Sequence, residues 1–371
     1  SIHTMNNLRN FLKGVIMHPY SNKLIGDFQR LCGVKSDKDM QYKSTFLYYY
    51  FKLCSMTGEE LYSLMPILFW LTIPLGPSYI LNFGLICTIG QLLKDFVKLP
   101  RPPANGCGGI VRIEKQHETE YGFPSTHTMG ALLPMSVLLS LRRLHIDVHT
   151  GLFVMAIYHV VAIGLSRLYL GVHSVVDLVG GIVIGVPMMI LIDAYEPELE
   201  QMLIFGPHSI YVTITLLIAF LFFYPKGDCW TASYGTSAQF FGTYAGVSSA
   251  MWYCVNGQPA IWETLNNISL LIPMSQGDYS GLLSQVTLMR VGVGLVICGL
   301  CKVLGKAIPM YVLAYMVDHS YLIEDKKYTL DALANKVHTH KLYCVEIPAR
   351  LMSYGLLAWG VFVITPMAWD H

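Results

Sequence analysis

Two short segments of the chain together contain three cationic side chains, a histidine and a carboxylate. The first contains Lys94 and Arg101, and the second contains Arg167, His173 and Asp177. Lysine and arginine are the side chains that bind phosphoryl oxygens. Because His173 and Asp177 stand four residues apart, they share one face of a helix, where the carboxylate can hold one imidazole nitrogen. These residue types predict a site for a phosphate group.

A further segment, Pro124-Ser125-Thr126-His127, directly precedes an apolar run. At the start of a helix, the unpaired backbone N–H groups and the positive end of the helix dipole favour an anion. Taken alone, each segment also has a structural explanation, either as snorkelling anchors or as a helix N-cap. Together they match a phosphate dianion and lack the carboxylate ligands of a Mg²⁺ enzyme, so we expect neither a metal nor a cofactor.

The composition places these segments in a membrane protein. Of the 371 residues, 53% are hydrophobic and 13% are charged, with a mean hydropathy of +0.47. Soluble proteins carry about 25% charged residues. The formal net charge of +1 gives no electrostatic reason to expect nucleic acid as a partner. The sequence therefore predicts an all-α integral membrane protein.

Apolar runs of roughly 20 residues, long enough to cross a bilayer, occur along most of the chain. They predict eight to ten transmembrane helices, and Gly76, Pro77 and Ser78 suit a tight turn between the first two. The predicted spans are 61–75, 79–93, 125–143, 151–165, 175–192, 204–224, 239–255, 291–304 with 307–317 as one run or a hairpin, and 351–367.

The spans divide the chain into three predicted parts. Residues 1–60 form an N-terminal segment, made partly interfacial by the aromatic stretch 45–53. Residues 61–224 form a transmembrane core that carries the three polar segments, and residues 225–371 form C-terminal helices. Residues 257–287 mix polar and aromatic types and suit an interfacial or re-entrant stretch. Alternating crossings put Lys94, His127, Arg167 and His173 on one membrane face, so they can form one site.

The three polar segments resemble the signature motifs of the type 2 phosphatidic acid phosphatase superfamily. Those motifs are Lys-x6-Arg-Pro, Pro-Ser-Gly-His and Ser-Arg-x5-His-x3-Asp, and the first and third match in full. Thr126 replaces the glycine of the second motif. The resulting Pro-Ser-Thr-His is similar to the sphingosine-1-phosphate (long-chain-base phosphate) phosphatase branch.

The resemblance implies a role for each residue in a lipid phosphate phosphatase. His173 would attack phosphorus, Asp177 would orient it, and His127 would act as general acid and then base. The phosphoryl oxygens would be bound by Lys94, Arg101, Ser125, Thr126 and Arg167. The implied partner is a membrane lipid, a sphingoid-base phosphate, and no nucleic acid is expected. The alternatives are a broad-specificity lipid phosphate phosphatase, a lipid phosphotransferase and a non-enzymatic lipid transporter on the same fold.

The orientation of the site has two opposing indications. Counting crossings puts the N-terminal segment, which has eight Lys or Arg residues, on the face of the site, and the positive-inside rule makes that face cytosolic. The resemblance implies an endoplasmic-reticulum protein whose site faces the lumen, and we favour the lumen.

Glycines are expected to allow close packing around the site. Gly171 would permit a tight turn before His173, and Gly181 and Gly185 would let their helix approach the site segments closely.

Overall fold

The regular secondary structure in the part of the chain that the structure describes is helical. The computed structural model describes residues 2–17, 19–34, 45–59, 70, 76–103, 109–113, 120–143, 145–226, 230–267, 280–317 and 336–369. Within these ranges there are fifteen α-helices and no β-strand, which confirms the predicted all-α class.

The helices before residue 200 surround the predicted site segments. They are α1 (Ile2–Met17), α2 (Pro19–Leu31), α3 (Thr45–Glu59), α4 (Gly76–Val97), α5 (Thr126–Gly130), α6 (Leu133–Arg143), α7 (Thr150–Tyr169), α8 (Val175–Ala194) and α9 (Glu196–Glu200).

The later helices include three longer elements and several short turns. They are α10 (Ser209–Phe223), α11 (Ala232–Trp252), α12 (Pro259–Asn267), α13 (Gln285–Val317), α14 (Lys336–Trp359) and α15 (Thr365–Trp369). π-helical turns at Gln201–Phe205, Tyr253–Gly257 and Gly360–Ile364, and a 3₁₀ turn at Ser280–Leu283, adjoin them.

Several helices are long and apolar enough to cross a membrane. Among the described residues these are Thr150–Tyr169, Val175–Ala194, Gln285–Met316 and Tyr343–Trp369. A fifth span arises if Glu196–Phe205 and Ser209–Phe223, which meet at 86°, are taken as one. Their outer faces are apolar: Phe223 is 82% exposed and Val183 is 64% exposed. The chain is therefore an integral membrane protein, while the total of eight to ten spans stays a prediction.

Some predicted helix boundaries were wrong, for local reasons. The expected turn at 76–78 is instead the first turn of α4, where a proline is tolerated because its missing N–H would have no helical partner. The predicted span 125–143 is broken at Ala131 and Leu132, because Pro134 cannot donate the N–H that would continue the helix. The predicted span 204–224 begins only at Ser209, after Gly206 and Pro207.

The C-terminal predictions differ in a similar way. Residues 291–317 belong to one continuous helix, α13, so the hairpin alternative was wrong. The helices predicted at 239–255 and 351–367 begin earlier, at Ala232 and Lys336. Apart from Trp70, the predicted span 61–75 lies outside the described residues, and so do residues 268–279 of the predicted interfacial stretch.

Candidate active site

The three polar segments meet at one end of the bundle, which we call the site end. It is the end at which α4 finishes and α5 and α8 begin. The Ser125 N–H donates to the Asp177 carbonyl (3.0 Å), and Lys94 Nζ donates to Thr126 Oγ1 (3.1 Å). These contacts join all three segments. The three segments that were expected to form one site are therefore in contact, while the crossing count behind that expectation stays a prediction.

Lys94 and Arg101 supply two buried positive charges. Lys94 is 1% exposed and Arg101 is 7% exposed. Arg101 Nη1 donates to the Val172 carbonyl (2.7 Å) and lies 3.2 Å from Nε2 of His173. One guanidinium group therefore holds the backbone just before His173 and also reaches its imidazole.

The third cation, Arg167, lies in the last turn of α7 and is fully buried. Its Nη1 donates to Ser55 Oγ on α3 at 2.6 Å. Phe51, which also lies on α3, stacks on Tyr169 of α7, with ring centroids 4.7 Å apart. Helix α3 contains the stretch 45–53 that the sequence indicated as interfacial, so this helix also packs against the site.

His173 is held as a neutral imidazole with a defined tautomer. Because arginine has only hydrogen-bond donors, Nε2 must present its lone pair to Arg101, which leaves the ring proton on Nδ1. Nδ1 lies 3.4 Å from Oδ2 of Asp177. Burial lowers the pKa of His173 well below its usual value, and the charges of Arg101 and Arg167 lower it further. The ring is thus neutral and nucleophilic in form.

Asp177 is fixed by the start of its own helix. Ser174 and Asp177 form a capping box: the Ser174 N–H donates to Oδ2 (2.7 Å), and the Asp177 N–H donates to Ser174 Oγ (3.2 Å). The 3.4 Å approach to His173 exceeds an ordinary hydrogen bond, and Nδ1 forms none with a described residue. Such contacts often tighten only when substrate binds.

The second imidazole, His127, faces the first across the site. It lies in α5, is 4% exposed, and its ring centroid is 6.4 Å from that of His173. Ser125 is the N-cap of α5, and its Oγ accepts hydrogen bonds from the N–H and hydroxyl of Thr128. The hydroxyl proton of Ser125 is not used in these two bonds, so it can point to another acceptor. The arrangement leaves both rings within reach of a group bound between them.

Thr126 occupies the position where the second signature motif of the superfamily has glycine, and its side chain points toward α4. Its Oγ1 accepts from Lys94, and its Cγ2 would lie 2.8 Å from a Cβ added at Gly90. The absence of a side chain at Gly90 makes room for Thr126. The threonine therefore helps to position Lys94.

Comparison with known proteins agrees with this geometry. The profile described as PAP2 superfamily matches residues 75–199, which include every residue of the three motifs. The chain carries a PAP2 superfamily domain. PAP2 proteins are phosphatases of phosphate monoesters, and the chain is an enzyme of this class. No solved structure matches the chain.

Several curated proteins are similar over much of the chain. Sphingosine-1-phosphate phosphatase 2 of Mus musculus is 29% identical over 243 residues, which is 62% of this chain and 67% of the relative. Sphingosine-1-phosphate phosphatase 1 of Rattus norvegicus is 25% identical over 337 residues, 86% of this chain and 71% of the relative. Lipid phosphate phosphatase delta of Arabidopsis thaliana is 31% identical over 194 residues, 49% of this chain and 46% of the relative.

The PAP2 domain depends on glycines where backbones approach each other. Gly171 has φ +71°, and a Cβ there would lie 2.3 Å from the Val111 carbonyl oxygen. A Cβ at Gly181 would lie 2.8 Å from the Ser125 carbonyl oxygen. At Gly185 the neighbour is a side chain, because a Cβ there would lie 2.7 Å from Cδ1 of Leu132. Close packing at these glycines was predicted and is confirmed.

Sequence reasoning missed three residues that contact the motifs. Ser55 accepts a hydrogen bond from Arg167, and Glu120 pairs with Lys94 and Arg101. Gln29 of α2 donates to the carbonyls of Val111 and Tyr169 (2.7 and 2.8 Å) and accepts from the Val111 N–H (2.9 Å). Gln29 thereby ties the segment 109–113 to the end of α7. An isolated polar residue gives no periodic signal, so the sequence alone did not indicate these contacts.

Proposed function

We propose that the protein hydrolyses the phosphate monoester of a single-chain lipid, a sphingoid-base phosphate, without a metal and through a phosphohistidine. The observation that carries the proposal is the state of His173. It is neutral, with its Nε2 lone pair turned to Arg101 and its Nδ1 proton facing Asp177. A histidine in that state, beside three buried cations, is suited to attack a bound phosphoryl group.

In the first step, Arg101 Nη1 moves from Nε2 of His173 to a phosphoryl oxygen. The freed Nε2 lone pair attacks phosphorus and the P–O ester bond breaks. The electron pair leaves with the lipid alkoxide, which His127 protonates. The imidazole becomes positively charged as the N–P bond forms, and Asp177 stabilises that charge. Lys94 and Arg101, with Arg167, stabilise the equatorial oxygens of the transition state.

In the second step, a water molecule attacks the phosphohistidine. His127, now neutral, removes a proton from that water, as microscopic reversibility requires of one acid-base residue. The N–P bond breaks, inorganic phosphate leaves, and His173 returns to its neutral form. Ser125 and backbone N–H groups near Thr126 bind phosphoryl oxygens in both steps. No step needs a charge from outside the protein.

The lipid part of the proposal is supported by where the site lies. The site end adjoins α7 and α8, whose outward faces carry exposed apolar side chains such as Val161 and Val179. A single acyl-like chain could lie along such a face while its phosphate enters the polar end of the bundle. The relatives named sphingosine-1-phosphate phosphatases support the sphingoid class of substrate. We propose residues 61–224 as the catalytic unit, supported by α2 and α3 and by the C-terminal helices.

The test is phosphate release by purified protein from sphingoid-base phosphates, lysophosphatidate and phosphatidate, with EDTA present throughout. We expect the sphingoid-base phosphates to be the best substrates and EDTA to have no effect. His173→Ala should abolish turnover and acid-labile phosphohistidine in quenched samples. Transfer of phosphate to an added alcohol in preference to water would indicate a phosphotransferase instead. Turnover by His173→Ala within about tenfold of the wild-type rate would refute the covalent mechanism.

We further propose an endoplasmic-reticulum location with the site facing the lumen. Tyr224 and Thr231 both donate to Asp95 at the site end, at 2.7 and 2.9 Å. Helix α11 then leads away from the site end, which supports placing Asn267, in an Asn-Ile-Ser sequon, on the opposite face. Asn267 should carry no glycan in cells, whereas a sequon inserted between Lys226 and Trp230 should be modified. The reverse pattern would make the site cytosolic.

A further inference from the structure

Gln29 is a buried amide in the last turn of α2, and its side chain makes three hydrogen bonds to backbone groups. It is 1% exposed. The two protons of Nε2 go to the carbonyls of Val111 (2.7 Å) and Tyr169 (2.8 Å), and Oε1 accepts from the Val111 N–H (2.9 Å). One side chain therefore joins two segments that lie far apart in the sequence.

The carbonyl of Tyr169 lies in the last turn of α7, where the helix itself supplies no backbone donor. Gln29 supplies one. Beside it, the Ile113 N–H donates to the Leu170 carbonyl at 3.0 Å, so the two segments lie side by side. Without the amide, the carbonyls of Val111 and Tyr169 lose the donor that they share. Because a buried carbonyl that loses its donor costs free energy, the two segments would shift relative to each other.

The turn that follows Tyr169 carries the proposed nucleophile, and Gln29 packs directly against it. A Cβ added at Gly171 would lie 2.9 Å from Nε2 of Gln29 and 2.3 Å from the Val111 carbonyl oxygen. Two residues further on, Nε2 of His173 lies 3.2 Å from Arg101 Nη1. A shift of the turn would therefore move the imidazole away from the place where the cations hold phosphate.

We propose that Gln29 is a positioning residue for His173, because it fixes the turn that sets the distance from Nε2 to the phosphoryl group. This inference rests on the proposed function, since it concerns the nucleophile of the same site. A misplacement of about 1 Å can cost about 10²-fold in rate. Helix α2 precedes the matched PAP2 region, residues 75–199, so a helix outside that region contributes to its chemistry.

Two anions distinguish a displaced His173 from a damaged phosphate site. Orthovanadate can accept the Nε2 lone pair and form a V–N bond, whereas inorganic phosphate is held by cations and N–H groups alone. Their dissociation constants for the purified chain are measured from the rise in melting temperature. In Gln29→Met, which keeps the side-chain length and loses the amide, orthovanadate should bind about tenfold more weakly or worse, and phosphate less than about threefold more weakly.

Kinetics supply a second measurement. Formation of phosphohistidine at saturating sphingoid-base phosphate should be about 10- to 100-fold slower in Gln29→Met, with KM within about threefold of wild type. Asn22→Leu is the matched control, because Asn22 is also a 1% exposed amide on α2 and bonds to the Met17 carbonyl at 3.5 Å. It should lower the melting temperature and leave anion binding and kcat unchanged.

Each outcome decides one question. Orthovanadate binding by Gln29→Met within about twofold of wild type, or equal weakening of both anions, would overturn the inference. Gln29→Asn keeps the amide on a shorter side chain, so it should show an intermediate loss and replaces Gln29→Met if that variant does not fold. His173→Ala should remove the advantage of orthovanadate over phosphate. If it does not, or if wild type forms no phosphohistidine, the proposed function fails; if only Gln29→Met behaves like wild type, the inference alone fails.

Discussion

Asp177→Asn separates the electrostatic role of Asp177 from its structural role. In the capping box, Oδ2 accepts from the Ser174 N–H at 2.7 Å, and the same oxygen lies 3.4 Å from Nδ1 of His173. An asparagine with its oxygen in that position keeps the bond to the Ser174 N–H and still faces Nδ1 of the imidazole. What it removes is the negative charge. We therefore expect normal folding and a low turnover number.

The size of the effect follows from the distance. Two unit charges 3.4 Å apart, in a medium of effective dielectric constant about 20, attract each other by about 5 kcal/mol. In the transition state the imidazole carries only part of its final charge. If that part is about one half, the variant loses on the order of 10²-fold in kcat, since about 1.4 kcal/mol corresponds to tenfold.

The assay is quenched-flow formation of phosphohistidine, combined with thermal unfolding. Asp177→Asn should slow formation by about the stated factor and leave the melting temperature close to that of wild type. Asp177→Ala is the control, because it also loses the hydrogen bond to the Ser174 N–H and should cost about 1 kcal/mol in stability. A kcat for Asp177→Asn within about threefold of wild type would refute the electrostatic argument. So would a loss of kcat accompanied by the same destabilisation as Asp177→Ala.

Two other predictions concern the turn that carries His173. Gly171→Ala should lower both the melting temperature and kcat, because its Cβ would lie 2.3 Å from the Val111 carbonyl oxygen at a φ of +71°. Gly84→Ala is the control. A Cβ there meets nothing within 4 Å, so this variant should lower neither the melting temperature nor kcat. The acidic limb of kcat/KM should lie below pH 6.5, since burial lowers the pKa of His173. Below pH 6.5 the unfolded chain binds a proton on His173 that the folded chain does not. The free energy of unfolding should therefore fall as the pH drops below 6.5, and it should fall less in His173→Ala. An acidic limb at or above pH 6.5 would contradict the buried, neutral imidazole.

The residues to which we assign the chemistry were predictable because that chemistry restricts their types. A phosphate dianion requires permanent cations, and the spacing of His173 and Asp177 fixes both on one helical turn. Counting crossings then predicts that the motifs meet at one end, without any knowledge of packing. Gln29 and Ser55 could not be found this way, because each acts through a single side chain that reaches a distant segment.

The helices themselves were predictable in kind more than in extent. Apolar runs identify a helix that can enter the bilayer, but its ends depend on local backbone groups that hydropathy does not record. Pro134 ends the backbone hydrogen bonding of α5, whereas Pro77 lies in the first turn of α4. The same residue type therefore has opposite effects in two apolar runs. Pro309 lies within α13 and does not interrupt it. Position relative to the neighbouring turns, more than the presence of proline, decides the boundary.

The C-terminal helices act on the site through the residue next to the first motif lysine. Adjacent residues of a helix point about 100° apart, so Lys94 and Asp95 face different neighbours. Lys94 reaches Thr126 in the site, while the buried Asp95 accepts hydrogen bonds from Tyr224 and Thr231, at the end of α10 and the start of α11. The last turn of α4 is therefore held from both sides. The matched PAP2 region ends at residue 199, yet the position of its first cation also depends on helices that follow it.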